Sequence, residues 1–436
     1  MQIPYSKRTL ANGLDVIVHE DHQLPMVAVN IWYHVGSKNE QPGRTGFAHL
    51  FEHLMFEGSQ HYDRGYFHPL QEAGASLNGS TNADRTNYWE VVPTNALDRA
   101  LWLESDRMGF LLPALTDAKF TNQREVVLNE RRQNYENRPY GLAGMAIVDA
   151  LYPPDHPYHW LTIGAAEDLR AARIDDVRAF FQQYYHPGNA SLALAGDVDT
   201  AKGVELAEWY FAEIPGGARL DRVVVASPDA PPEDLKLVLE DRVELPRLYL
   251  AWHSPALFAD GDAELDLVAE VLSSGKTSRL YRALVYDQRI ATEVAASQNS
   301  RELGSFFQIV ATAAPGRTLA EVERAITREL TGLIDRGPTA GELERCLAQA
   351  EAHFLFRLQT VGGFGGKSDQ LNAYNTFLGD PGYFDEDLKR YRSATPTLLR
   401  EAAARYLKPG RRIMLSVVPR GRVALALSGS RTVTVS

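Results

Sequence analysis

Residues 47–54 read Phe-Ala-His-Leu-Phe-Glu-His-Leu, with His49-Leu50-Phe51-Glu52-His53 at the centre. On a helix, His49 and His53 stand one turn apart on one face, and Glu52 lies between them on that face. Two imidazoles at i and i+4 can share one metal ion, and a carboxylate at i+3 can act on a water beside it. Phe47, Leu50, Leu54 and Phe56 supply an apolar surface, so the helix is expected to be largely buried. Burying two His and a Glu without a partner is costly, and a metal ion removes that cost.

A catalytic zinc needs three protein ligands and one open position. The third ligand is expected from another element. Residues 120–138, FTNQREVVLNERRQNYENR, are strongly helical and carry two candidate carboxylates, Glu125 and Glu130. Periodicity does not choose between them.

The pattern H-x-x-E-H followed by Glu after a gap of 76 residues resembles the M16 peptidase family, which includes pitrilysin, insulin-degrading enzyme and the mitochondrial processing peptidase. The resemblance implies His49, His53 and Glu130 as ligands of a Zn2+ ion and Glu52 as general base. Family members often carry an acidic residue seven positions before the ligand glutamate, where this chain has Gln123. Gln123 can still support a ligand as a neutral hydrogen-bonding group. Glu125 then becomes a surface or supporting charge. The segment LNGSTNADRTNYWEVVP, residues 77–93, reads as a strand or hairpin. In the family the matching strand lies beside the zinc and pairs with extended substrate, which makes Asn78 the expected substrate-binding residue.

The chain has 436 residues, which suits two domains of about 200 residues each. Strand signals open it at Leu14–Val18 and Met26–Trp32, and a further pair lies near Ala75–Ser80 and Asn87–Val92. Residues 180–198 (FFQQYYHPGNASLALAGDV) and 402–420 (AAARYLKPGRRIMLSVVPR) share a helix, a Pro-Gly turn and an apolar strand, with the Pro-Gly pairs 222 residues apart. That spacing points to duplication of one α+β domain. A Pro-, Gly- and charge-rich stretch at 215–235 marks the boundary, giving an N-terminal zinc-binding domain over 1–222 and a C-terminal domain without metal over 235–436. The resemblance implies a mainly antiparallel sheet backed by helices in each, the two forming half of a clamshell chamber.

Composition narrows the function further. The net charge of −11 argues against nucleic-acid binding. No run approaches the ~18 apolar residues of a membrane span. The N-terminal MQIPYSKRTLANGL lacks a signal-peptide apolar core and starts close to where family members start their first strand, which leaves room for a removed leader. Localisation stays open between the cytoplasm and the periplasm of a bacterium. The single cysteine, Cys346, excludes an intrachain disulfide framework and reads as a buried small apolar residue of a helix. The run Gly362-Gly-Phe-Gly-Gly-Lys-Ser368 resembles a phosphate loop, but Val361 stands where that loop needs glycine, so it reads as a break between two helices. His156 and His159 lie in a Pro-flanked loop and read as surface or packing residues.

Active single-chain M16 enzymes carry an Arg and a Tyr seven residues apart in their C-terminal half. The matching segment here is 273–297, where the expected Arg falls on Val285 and the expected Tyr on Thr292. Arg279 and Tyr286 have the right separation in a shifted register only. The resemblance therefore implies a zinc-bearing endopeptidase subunit that hydrolyses unfolded peptides in a two-chain chamber. Its partner would be a related subunit lacking zinc, in a heterodimer rather than a homodimer. The competing readings are a non-catalytic core-protein-like assembly subunit and a processing protease dedicated to one partner peptide.

Overall fold

The computed structural model describes residues 2–218, 220–226 and 228–435. The N-terminal half forms strands β1 (Ser6–Thr9), β2 (Asp15–Glu20), β3 (Met26–Tyr33), β4 (Ser76–Thr81), β5 (Thr86–Pro93) and β6 (Ala190–Gly196), with β-branched residues concentrated in β2, β3 and β5. They make one six-stranded sheet in the order β1-β2-β6-β3-β5-β4, which leaves β1 and β4 at its edges. Only β2 and β6 pair in parallel; every other pair is antiparallel. The central strands β3 and β6 are apolar almost without interruption because both their faces are covered.

The C-terminal half supplies β7 (Leu235–Asp241), β8 (Arg247–Ser254), β9 (Ala291–Asn299), β10 (Ser305–Ala313), β11 (Ile413–Pro419) and β12 (Arg431–Thr432). Their order, β12-β7-β11-β8-β10-β9, repeats the first sheet strand for strand. The sense of pairing repeats too, with β7 parallel to β11 as β2 is to β6. The sheets differ at the outer strand: β1 runs antiparallel to β2, whereas β12 runs parallel to β7. The strands β6 and β11 follow the helices Ile174–Tyr184 and Pro396–Tyr406, so the repeat read around the two Pro-Gly turns is a repeat of structure. The fold is α+β, two copies of a six-stranded mixed sheet backed by helices.

The chain divides into two compact units, and neither is continuous in sequence. One comprises Met1–Glu130, Trp160–Val223 and His353–Glu386; the other comprises Arg131–His159, Val224–Ala352 and Asp387–Ser436. The chain passes between them at Val223/Val224, inside the Pro-, Gly- and charge-rich stretch, and two further segments are exchanged.

In the first unit, the exchanged helix Lys367–Leu378 packs on one face of the sheet through polar groups. Asp369 Oδ1 accepts hydrogen bonds from Trp32 Nε1 (2.9 Å) and Asn87 Nδ2 (3.1 Å), and its Oδ2 accepts from Gly365 N (2.7 Å). Ser191 Oγ donates to Asn372 Oδ1 at 2.7 Å. On the opposite face of β3, Tyr33 is buried against Tyr88 and Tyr185. The glycine-rich run at 362–366 does break two helices, Ala340–Arg357 and Lys367–Leu378.

In the second unit, the helices Asp262–Ser273 and Leu319–Arg336 bury Leu265, Val268, Leu272, Val322, Ile326 and Leu330 against the sheet. Cys346 is fully buried in this core, and burial pushes its thiol up to about 11, which leaves it a neutral packing group. His156 is buried too, stacked on Tyr152 with ring centroids 4.7 Å apart. Among the described residues, no helix is long and apolar enough to cross a membrane.

Candidate metal centre

The quoted motif forms the helix Phe47–Leu54, in the chain between β3 and β4. Phe47, Ala48, Leu50, Phe51 and Leu54 point into the unit, and Phe51 stacks on Phe180 with centroids 5.7 Å apart. This apolar seating leaves His49, Glu52 and His53 on the remaining face. The helix starts at Gly46, whose φ of 87° lies in the left-handed region that glycine adopts freely. Its N-terminus is closed by a residue the motif does not announce. The carboxylate of Glu40 accepts Gly46 N at Oε2 (2.9 Å) and Ala48 N at Oε1 (2.8 Å). Glu40 is buried, and desolvation pushes it up to about 8 against the pull of those two N–H groups.

Glu130 arrives from the helix Asp117–Arg131, which continues into a wider π-type turn at Arg132–Glu136. Its Oε2 lies 3.6 Å from His49 Nε2 and 3.4 Å from His53 Nε2. The three ligand atoms all lie within 4.8 Å of one another. Donors about 2.0–2.2 Å from a tetrahedral ion stand roughly 3.4 Å apart, so the cluster has the dimensions of a zinc site. His49 is lowered to about 4, first by burial and then by the charge of His53, so its imidazole is neutral at pH 7 with a lone pair to offer. The residues present fit a zinc ion.

Glu52 sits beside the cluster. Burial raises its pKa above the ordinary carboxylate range, opposed by the Thr81 hydroxyl at the end of β4 and by the charges of His53 and Arg85. With His53, Phe56, Glu57, Phe67 and Gln123, Glu52 lines a cavity of about 370 Å³.

The other expected site residues fall elsewhere. Gln123 Nε2 donates to Glu57 Oε1, so its amide is spent on the cavity wall and not on a histidine. Glu125 is exposed and faces Arg124 at 3.9 Å, outside the cluster. Asn78 is exposed on the edge strand β4, paired across from Trp89, and its Oδ1 accepts the N–H of Gly79 at 2.8 Å. Arg279 is held away from the cluster: Nε and Nη2 both donate to Glu342 at 2.7 Å, and Nη2 also reaches Gly337 O at 3.0 Å. Tyr286 is exposed, Val285 packs against the core of the second unit, and Thr292 is on β9.

Sequence reasoning missed Glu40, Thr81 and Glu57. Glu40 lies six and eight residues before the amides it caps, outside any local capping pattern. A second acidic grouping, Glu20, His22 and Asp199, is exposed, and His22 Nδ1 is engaged by Asp197 at 2.7 Å. Among the described residues the second unit holds no comparable cluster. There the helix Asp262–Ser273 occupies the place of the motif helix, between β8 and β9, and carries no histidine.

Two sheet-and-helix copies, one with a His2Glu cluster beside a raised carboxylate, define a class of metal-dependent hydrolase. The family described as "Insulinase (Peptidase family M16)" matches residues 15–152, and "Peptidase M16 inactive domain" matches residues 172–350. The chain belongs to the M16 family of metallopeptidases. It is similar to a zinc protease of Helicobacter pylori, PqqE, at 30% identity over 82% of this chain and 81% of the relative. The crystal structure of a protease from Helicobacter pylori superposes with a TM-score of 0.86 at 26% identity, covering 95% of this chain and 100% of that one. The periplasmic protease PqqL from Escherichia coli shares the fold, with a TM-score of 0.79 at 17% identity over 98% of this chain and 50% of that one.

Proposed function

We infer that the chain is the zinc-bearing subunit of an endopeptidase acting on unfolded peptides, with His49, His53 and Glu130 as ligands and Glu52 as general base. The observation that carries this reading is the convergence of the three ligand atoms within 4.8 Å, next to a buried Glu52. When bound, zinc would polarise the scissile carbonyl and acidify the attacking water. Glu52 takes the proton from that water and passes it to the leaving amine. Among the described residues no strand pairs with the outer edge of β4, so an extended peptide can add there as a further strand beside Glu52, with Asn78 next to it. Gln123 and Glu57 hold the wall of the cavity next to the base.

At the positions where the resemblance expects the donor pair, Val285 packs against a core and Thr292 carries no charge, and the shifted Arg279 is held by Glu342. This supports a heterodimer in which a related subunit without zinc completes a chamber and brings an Arg/Tyr pair. The length match to half of PqqL fits such a paired arrangement.

The test is hydrolysis of a quenched fluorescent peptide by the zinc-loaded chain alone, with Glu52→Gln as the blank. Inactivity with one zinc per chain supports the missing partner. Activity lost in Glu52→Gln supports the base and removes the need for a partner. A chain that takes up no zinc overturns the reading.

A further inference from the structure

The glycine-rich turn between Arg357 and Lys367 is not used by the chemistry above, yet it is a built element of the first unit. Lys367 N donates to Thr360 O (2.9 Å) and Ser368 N to Val361 O (3.0 Å), closing the turn on itself. Gly365 N is held by Asp369 at 2.7 Å, and Lys367 Nζ by Asp21 at 2.6 Å. Gly362 lies flat on the sheet: a Cβ there would come within 2.5 Å of Val91 Cγ2 and 2.6 Å of Ala28 Cβ. The turn therefore forms one rigid wall of a cavity of about 440 Å³, whose other lining includes Leu24, Met26, Ser76, Trp89 and Val91. Most of the exposed lining surface is apolar, with Asp21, Gln23, Gln359 and Thr360 supplying its polar part. Leu24 is 69% exposed, and Phe364, 52% exposed, stands edge-on to Trp89 at 5.5 Å, so apolar surface at this mouth lies open to water.

Position gives the cavity a meaning. Ser76, which lines it, is the first residue of β4, and Thr81, which meets Glu52, is the last. One strand thus runs from the cavity to the base, a distance of roughly 17 Å at about 3.3 Å per residue. The outer edge of β4 pairs with no strand among the described residues. Ser76, Asn78 and Ser80 share one face of β4, opposite Val91, Trp89 and Asn87 on β5. A peptide laid along that edge puts alternate side chains on this same face, and those level with Ser76 meet the cavity.

We propose that this cavity is a substrate subsite that takes one large apolar side chain of a peptide paired with β4, about five residues from the bond under attack. It rests on the peptidase reading above and adds a preference that strand pairing alone does not supply. Main-chain bonds hold any sequence, whereas an apolar pocket rewards one residue class at one position.

The test is binding by fluorescence anisotropy, on the full chain carrying Glu52→Gln. The probes are fluorescein-labelled Gly/Ser/Thr-rich peptides of about a dozen residues, each with a single Phe moved along the sequence. One Phe position should bind about tenfold tighter than the Phe-free peptide. Leu24→Asp, an exposed change, should remove that gain. Phe356→Asp, exposed but outside the cavity, should keep it. A Phe gain that is independent of position, or one that survives Leu24→Asp, overturns the subsite. If zinc is nevertheless bound one per chain, the peptidase reading stands. Failure to bind any of the peptides also overturns the subsite, and absence of zinc as well removes both.

Discussion

Glu40 Oε1 accepts the backbone N–H of Ala48 at 2.8 Å, one residue before the first histidine of the metal cluster. With the second bond, from Gly46 N to Oε2, the carboxylate fixes the first turn of the helix that carries His49, Glu52 and His53. Carboxyl oxygens suit a helix N-terminus because the first N–H groups of a helix have no partner within it. The spacing between His49 and Glu130 is therefore set in part by a residue that touches neither.

Replacing Glu40 by Ala strands two buried N–H donors and should cost about 2–4 kcal/mol of stability. The pH dependence has a definite sign. Burial raises Glu40 from 4.5 to about 8, so its contribution is complete below about pH 4.5 and is lost as pH rises through 8. Urea midpoints of the parent chain should fall between pH 5 and 8 more steeply than those of Glu40→Gln. Equal slopes would contradict the assignment.

Asp369 gathers Trp32, Asn87 and Gly365 around one buried carboxylate. Asp369→Ala should destabilise the first unit by about 3 kcal/mol, because these donors and Asn30 Nδ2, at 3.4 Å, lose their acceptor. Urea unfolding followed by tryptophan fluorescence reports it directly, since Trp32 is one of the donors. A midpoint unchanged from the parent would show that the donors find other acceptors.

Glu130→Gln should weaken zinc affinity by more than about 100-fold, because it removes a charged ligand. Glu125→Gln should change it by less than about threefold, since Glu125 is exposed and only near Arg124. Competition with a zinc chelator dye measures both. The reverse order would sink the choice of third ligand.

Arg279→Ala should leave peptide hydrolysis unchanged in any preparation that shows it, because the guanidinium is committed to Glu342. It should instead remove a contribution to stability that acid weakens. Arg279 and the Thr339 amide overcome the cost of burying Glu342 and lower it to about 2, so its contribution is present above about pH 4.5 and lost as pH falls through 2. Thermal midpoints at pH 3 and pH 7 should therefore differ less in the variant than in the parent. Loss of hydrolysis with stability intact would return Arg279 to the catalytic machinery.

The ligand helix was legible because its chemistry is compressed into five consecutive residues, and the repeat because both Pro-Gly turns keep their helix and strand neighbours. The strands β2 to β5 were legible for the ordinary reason that β-branched runs between turn residues pair. Glu40 was not, because its value lies in a tertiary approach to Gly46 and Ala48. Gln123 was placed beside the ligands by resemblance, yet its amide reaches Glu57. The glycine run was readable as a helix break, but its packing on Ala28 and Val91 depends on a segment exchanged between units from more than 250 residues away in the chain. Nothing local in a sequence records an exchange of that range.

The most direct measurement is an anomalous difference map of zinc-soaked crystals at the zinc edge. The account predicts one strong peak about 2.0–2.2 Å from His49 Nε2, His53 Nε2 and a Glu130 carboxylate oxygen, and none in the second unit. A peak at the exposed Glu20, His22 and Asp199 with none at the motif helix would contradict it.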